Sequence, residues 1–273
     1  TYSLSSTILD LSAYPQPYVP YTGDDNDDGD GHKVVRKCTN CTVHAGFMAS
    51  WRTTRPFILD HLSAARAQYP DYKLVLAGHS LGGAVAELAG LEMRLEGWDP
   101  EVTTFGEPRV GNGAFAGFVD EVFDLFGTSA GEGSRFRRVT HVNDPVPLLP
   151  LEEWGYRMHA GEIFISKPRL PPSLSDVQLC EGDQDERCIA NSEPTGATLD
   201  ELKDMAVQDS SLERRGQVVL SDPQQDYPDD ARPITSANWG LIPARYRLWE
   251  LFFSHRDYFF RLGFCVPGGD PTG

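Results

Sequence analysis

Basic residues are few in this chain: 24 Lys and Arg stand against 40 Asp and Glu, a net charge of −16 over 273 residues. Phosphodiester binding needs a clustered positive face, so nucleic acid is excluded as a partner, and tight binding to anionic membranes is disfavoured. A neutral ester or lipid surface is unaffected by that balance, and acidic charge also keeps a secreted protein in solution. Long apolar runs are missing as well: none approaches the ~20 residues of a membrane helix. No internal repeat and no signal peptide is visible, and the chain starts with Thr1 rather than Met. It therefore reads as a mature form or a piece of a longer product. A second Cys-x-x-Cys is absent, so Cys38-x-x-Cys41 gives no four-thiolate zinc site, although a redox or metal pair stays open there. A calcium loop is incomplete too. Asp24, Asn26, Asp28 and Gly29 are in register, but the twelfth position is Val35, where a bidentate Glu is required. The run from Asp24 to Gly31 is read as a solvated acidic loop.

The five Cys that are present include Cys180 and Cys188, which bracket an acidic loop as a local pair, and Cys265, which is left over. Asn40-Cys41-Thr42 is a glycosylation sequon with Asn40 as acceptor. Together these point to an oxidising, secreted setting. The length allows a substantial core in one large domain. A helical region opens at His44–Phe47 and continues after Pro56 to Tyr69, with Leu59, Leu62 and Ala65 on its buried side. A strand follows at Tyr72–Ala77, a helix at Gly83–Glu96 with Gly97 as its stop, a strand at Glu101–Phe105, a helix at Ala114–Phe126 and a strand at Arg135–His141. Strand and helix alternate, which predicts an α/β fold with a mostly parallel central sheet flanked by helices. Residues 167–236, rich in Pro and acid, read as a non-core excursion from a single domain spanning 1–273.

One stretch carries chemistry. Gly78-His79-Ser80-Leu81-Gly82 is Gly-x-Ser-x-Gly, lying between a predicted strand and a predicted helix. That context makes it a nucleophile elbow, a sharp turn that exposes the Ser80 hydroxyl. A side chain at Gly78 or Gly82 is expected to meet the neighbouring strand or helix. A Ser hydroxyl is a weak nucleophile; it needs a base, and the base needs an orienting group. Hydrolases with this elbow run Ser, then Asp or Glu, then His. Asp144 lies in the loop after the strand that ends at His141, where parallel sheets place their sites. Of the seven His, only His159 and His255 follow Asp144. The order Ser80, Asp144, His255 favours His255 as the base. His79 is expected to point away from the pocket, and His61 to sit on scaffold.

With those residues placed, the sequence resembles the filamentous-fungal class 3 triacylglycerol lipases, an α/β-hydrolase family. Gly78-His79-Ser80-Leu81-Gly82-Gly83-Ala84, Phe105-Gly106-Glu107-Pro108-Arg109-Val110-Gly111-Asn112 and Thr140-His141-Val142-Asn143-Asp144-Pro145-Val146-Pro147 carry the resemblance. Together with His255 and Cys265, these motifs span most of residues 1–166 and 239–266. The resemblance implies a secreted serine ester hydrolase that cleaves acylglycerols at a lipid–water interface, monomeric, without metal or cofactor. It implies a disulfide between Cys38 and Cys41, and a partner for Cys265 beyond this chain. It makes Thr1 and the backbone N–H of Leu81 the two halves of an oxyanion hole. It also makes the segment with Leu4, Ile8 and Leu9 a short lid, and puts further sheet strands and a signal peptide upstream of Thr1. Two alternatives stand beside it: a feruloyl or other carboxylesterase on the same fold, and a non-catalytic homologue that binds apolar ligands.

Overall fold

The computed structural model describes residues 14–20, 37–125, 133–192 and 255–262. The chain divides into two units, Thr1–Glu193 with Phe253–Gly273, and Pro194–Phe252; every described residue belongs to the first. Strands β3 (Val75–His79), β4 (Glu101–Phe105), β6 (Phe136–His141), β8 (Glu162–Ile165) and β9 (Val177–Leu179) form one sheet in that order. β3, β4, β6 and β8 are parallel, and β9 closes the edge antiparallel. The expected mostly parallel sheet is thus present. β6 lies in the middle, and all but one of its residues is buried, because a parallel strand between two others is covered on both faces. A second, antiparallel sheet joins β1 (Pro15–Pro17), β2 (Thr42–His44), β5 (Gly111–Asn112) and β7 (Tyr156–Arg157).

Helix α1 (Ala45–Gln68) runs unbroken through Pro56. A proline inside a helix removes one backbone bond. Packing on both sides of it offsets that loss: Phe47, Met48 and Trp51 are buried before it, and Ile58, Leu59 and Leu62 pack against the core after it. Ala65, assigned to the buried face, is exposed, since the last turns of α1 leave the body. His44 caps the helix, its Nδ1 accepting from the Gly46 N–H at 3.1 Å and the Phe47 N–H at 3.4 Å.

Helix α2 (Leu81–Leu95) is buried from Gly83 to Met93 on nearly every side, because it lies against β3 and β4 and between α1 and the next helix, α3 (Gly113–Phe123). The sequence suggests one apolar face; the structure also buries Glu87 and Glu92. Glu92 ties α2 to α1 through Trp51 Nε1, which donates at 2.8 Å, and through Arg55. Burial pushes the Glu92 carboxyl up, against the pull of Arg55 and Trp51. α3 begins where the Asn112 side chain accepts from the Phe115 N–H at 3.0 Å, and it stops at Asp124 in the left-handed region.

Residues 167–192, assigned from sequence to the excursion, carry β9 and the Cys180–Cys188 disulfide. Cys180, Cys188 and Ile189 pack with Leu148, Met158 and Phe164 in a small apolar cluster. The rest of the excursion lies outside the described residues.

Candidate active site

Ser80 stands at the turn from β3 into α2 with φ 57° and ψ −129°, a conformation that non-glycine residues rarely adopt. Such a backbone costs about 1–3 kcal/mol and persists only where its surroundings enforce it. Here the Ser80 N–H donates to the Phe105 carbonyl at 2.9 Å, and the Ser80 carbonyl accepts from Gly83 N–H at 2.8 Å. Gly78 is required by close approach: a Cβ there would lie 2.1 Å from the Gly82 carbonyl oxygen. Gly82 differs from expectation. Nothing lies within 4 Å of a Cβ built on it, because it sits on the outer side of the first helical turn. Leu81 opens α2 directly after Ser80, so its N–H belongs to the first turn, where amides lack an intrahelical acceptor.

Asp144 lies just past the end of β6, and the structure brings it to His255 from 111 residues away. His255 Nδ1 is 3.0 and 2.9 Å from the two carboxylate oxygens. Asp144 Oδ1 also accepts from the Val146 N–H at 2.9 Å, and Oδ2 accepts from the Tyr258 hydroxyl. Asp144 and His255 are each 1% exposed. Burial pushes the Asp144 carboxyl up, but nearby His255 and the three donors outweigh it and hold it below the usual carboxylate range. With Nδ1 engaged, His255 Nε2 is buried and has no hydrogen-bond partner. An imidazole fixed in this tautomer can take a proton at Nε2. Beneath the pair is Gly106 at φ +56°; a Cβ there would meet Tyr258 Oη at 2.4 Å, Asp144 Oδ2 at 2.8 Å and His255 Cε1 at 2.8 Å.

The elbow and the His255 turn meet through His79. Its Nε2 lies 2.6 Å from the His255 carbonyl oxygen, to which it donates, and the two rings are 4.4 Å apart. His79 therefore packs against the His255 turn. Burial and the neighbouring His255 push it down to about 4, so it is neutral at working pH. The other His do different things. His159, weighed as a base, is buried with its Nε2 3.1 Å from Glu107 Oε1. His141 Nε2 donates to the Lys167 carbonyl at 3.0 Å. His61 is exposed on α1.

Thr1, Leu4, Ile8, Leu9, Cys265 and the acidic loop at Asp24 lie outside the described residues. Cys38 bonds Cys41 and Cys180 bonds Cys188. Asn40 is exposed, and its carbonyl accepts from Asn112 Nδ2 at 2.9 Å. Among the described residues, two groups gather metal-ligating atoms within 4.8 Å: Glu162 with Cys180 and Cys188, and Glu87 with Glu107 and His159. The first spends its sulfurs on the disulfide. In the second, Glu87 hydrogen-bonds Glu107, and burial first and Glu107 second push the Glu87 carboxyl well up, so the pair holds a proton. No helix among the described residues is long and apolar enough to cross a membrane.

Sequence order alone singles out Ser80, Asp144 and His255, and the structure brings Asp144 and His255 into contact. Sequence order misses Tyr258, whose only mark is its place three residues after His255, and the Glu87–Glu107 pair, whose partners lie on separate elements.

The chain is 52% identical over 283 residues to Lipase A of Sodiomyces alcalophilus, and 49% over 280 residues to secreted mono- and diacylglycerol lipase 2 of Gibberella zeae. All of this chain is covered in both cases, and it spans 62% of the length of each relative. Among solved structures, the lipase from Rhizopus microsporus var. chinensis matches with a TM-score of 0.53 at 32% identity, covering 70% of this chain and 57% of that one. The mono- and diacylglycerol lipase from Aspergillus oryzae matches with a TM-score of 0.53 at 26% identity, covering 67% and 61%. The layout of sheet and helices is the α/β-hydrolase fold of these lipases. The model of the lipase (class 3) family matches residues 1–154, and this chain belongs to that family.

Proposed function

We propose that the chain carries the hydrolytic centre of a secreted lipase that cleaves acylglycerol esters at a lipid–water interface. The observation that carries the reading is His255, gripped at Nδ1 by a buried carboxylate and left without a partner at Nε2, beside an elbow whose Ser80 is held at φ 57°. Ser80 Oγ attacks the ester carbonyl while His255 Nε2 takes its proton. The tetrahedral oxyanion is received by the Leu81 N–H and by Thr1. His255 then returns the proton to the leaving alcohol, and water frees the acid from the acyl-enzyme by the same steps in reverse order. Asp144 keeps the His255 tautomer and stabilises the imidazolium. The name of the Gibberella zeae relative favours mono- and diacylglycerols as substrates and a secreted product. In this reading the segment of Leu4, Ile8 and Leu9 serves as the lid.

Ser80→Ala is expected to abolish hydrolysis of emulsified mono-, di- and triacylglycerols and of a soluble short-chain ester, and a serine-directed phosphonate should label only the unaltered chain. Turnover retained by Ser80→Ala overturns the reading. A rate that rises smoothly through the solubility limit of one ester, with no jump, would favour a carboxylesterase instead.

A further inference from the structure

We infer that Tyr258 is a positioning residue for the site, its hydroxyl holding the Asp144 oxygen that would otherwise lean wholly on His255; this rests on the ester-hydrolase reading above. Three donors converge on the Asp144 carboxylate. Val146 N–H serves Oδ1, His255 Nδ1 serves both oxygens, and the Tyr258 hydroxyl serves Oδ2. A buried carboxylate that lacks a donor costs far more than one fully bonded. Oδ2 has no solvent to replace the phenol, because Asp144 is 1% exposed.

Tyr258 is built to be a fixed donor. It is 1% exposed. Rings wall it edge-on: Phe105 at 5.7 Å, His79 at 6.0 Å and His141 at 6.2 Å between centroids. Burial and the charge of Asp144 push the phenol far above its ordinary range, so it keeps its proton throughout the working range. The short turn that delivers His255 also delivers Tyr258. The Asp257–Arg261 ion pair at 2.7 and 2.8 Å and the Leu262 N–H to Arg256 carbonyl bond at 2.9 Å close that turn. Base and second donor therefore sit on one closed turn. The other charged or titratable groups facing this cluster are His79, neutral above about 4, His141, which burial pushes down, Arg138 on β6, and Arg256 and Asp257 beside His255.

A second donor on the carboxylate withdraws part of its charge from the imidazole. Without it the imidazolium is held more strongly, and the ring loses one constraint on its orientation. A Tyr that served only as filling would change stability and leave the titration of the site alone.

The test is Tyr258→Phe, nearly isosteric, with kcat and KM followed against pH on a soluble short-chain ester. Loss of one charge-assisted hydrogen bond predicts a fall in kcat of about 10-fold with KM little changed. The acid limb of kcat/KM should move to higher pH by about half a unit. NMR titration of the His255 ring reads the same linkage without turnover, and its midpoint should rise in step. Tyr258→3-fluorotyrosine keeps the ring and strengthens the donor, so the limb and the midpoint should move to lower pH. An unmoved limb and midpoint in both variants overturn this inference while leaving the hydrolase reading intact. Turnover surviving Ser80→Ala overturns the hydrolase reading, whatever His255 does on titration.

Discussion

His79 Nε2 donates to the backbone carbonyl of His255 at 2.6 Å, and the two imidazoles pack with centroids 4.4 Å apart. The residue before Ser80 thus holds the main chain of His255, the base of the proposed mechanism. His79→Ala should lower kcat by about 10-fold, the scale of one buried hydrogen bond left unmade. His79→Gln, which can still donate, should recover part of it. Steady-state kinetics on a soluble ester decide, and equal rates for both variants and the parent would remove the role.

The same ring predicts a pH dependence of stability. His79 has its folded value near 4 against 6.5 for the free side chain. Between those values the unfolded chain binds the extra proton, so stability falls as pH drops from about 6.5 towards 4. Denaturant melts at pH 7 and pH 5 should show a smaller acid loss in His79→Gln than in the parent.

Glu87 works in the opposite sense. Burial and Glu107 raise its folded value, so the folded state holds a proton that the unfolded state releases above about 4.5. Stability from this group is present at low pH and is lost as pH rises. Glu87→Gln keeps a donor at the site without the titration. It should be neutral or stabilising at pH 8, and the gap to the parent should close towards pH 4, as read from melts across that range.

The two elbow glycines should part company. Gly78→Ala sets a Cβ 2.1 Å from a backbone carbonyl that cannot turn aside, and nothing lies near a Cβ at Gly82. Overpacking of that kind costs about 1–3 kcal/mol or more. Gly82→Ala should instead gain up to about 1 kcal/mol from helix propensity. Thermal melts of the two variants test the contrast; similar losses at both positions would refute it.

The Cys180–Cys188 bond fastens the chain after β9 to the apolar cluster that includes Leu148, near Asp144. Removing it as Cys180→Ser with Cys188→Ser should cost about 2–4 kcal/mol. Thermal melts of the double variant against the parent test this.

What was legible in the sequence was what chemistry restricts to particular residues in a particular order. A Ser between glycines, an Asp past a strand and a late His leave little freedom, and the structure draws Asp144 and His255 together. The alternation of strands and helices was equally plain. Burial read from one helix at a time was not. Of Leu59, Leu62 and Ala65, expected on the inner face of α1, Leu59 and Leu62 do pack against the core and Ala65 is exposed; the deepest burial, at Phe47, Met48 and Trp51, lies earlier on the same face, where α1 meets α2. Tyr258 could not be seen from spacing, since its acceptor lies 114 residues away. The Glu87–Glu107 pair hid for a like reason: each carboxylate alone reads as a surface charge.

Ser80 and Asp144 sit at the ends of β3 and β6, two strands that β4 joins in one parallel sheet, whereas His255 arrives across a gap of 111 residues. Closing so long a loop is entropically slow, and local helix and strand contacts form before it. The order of assembly follows from that geometry. On refolding, the sheet should be complete while the centre is still inert, and activity should return only when the His255 turn docks on Asp144.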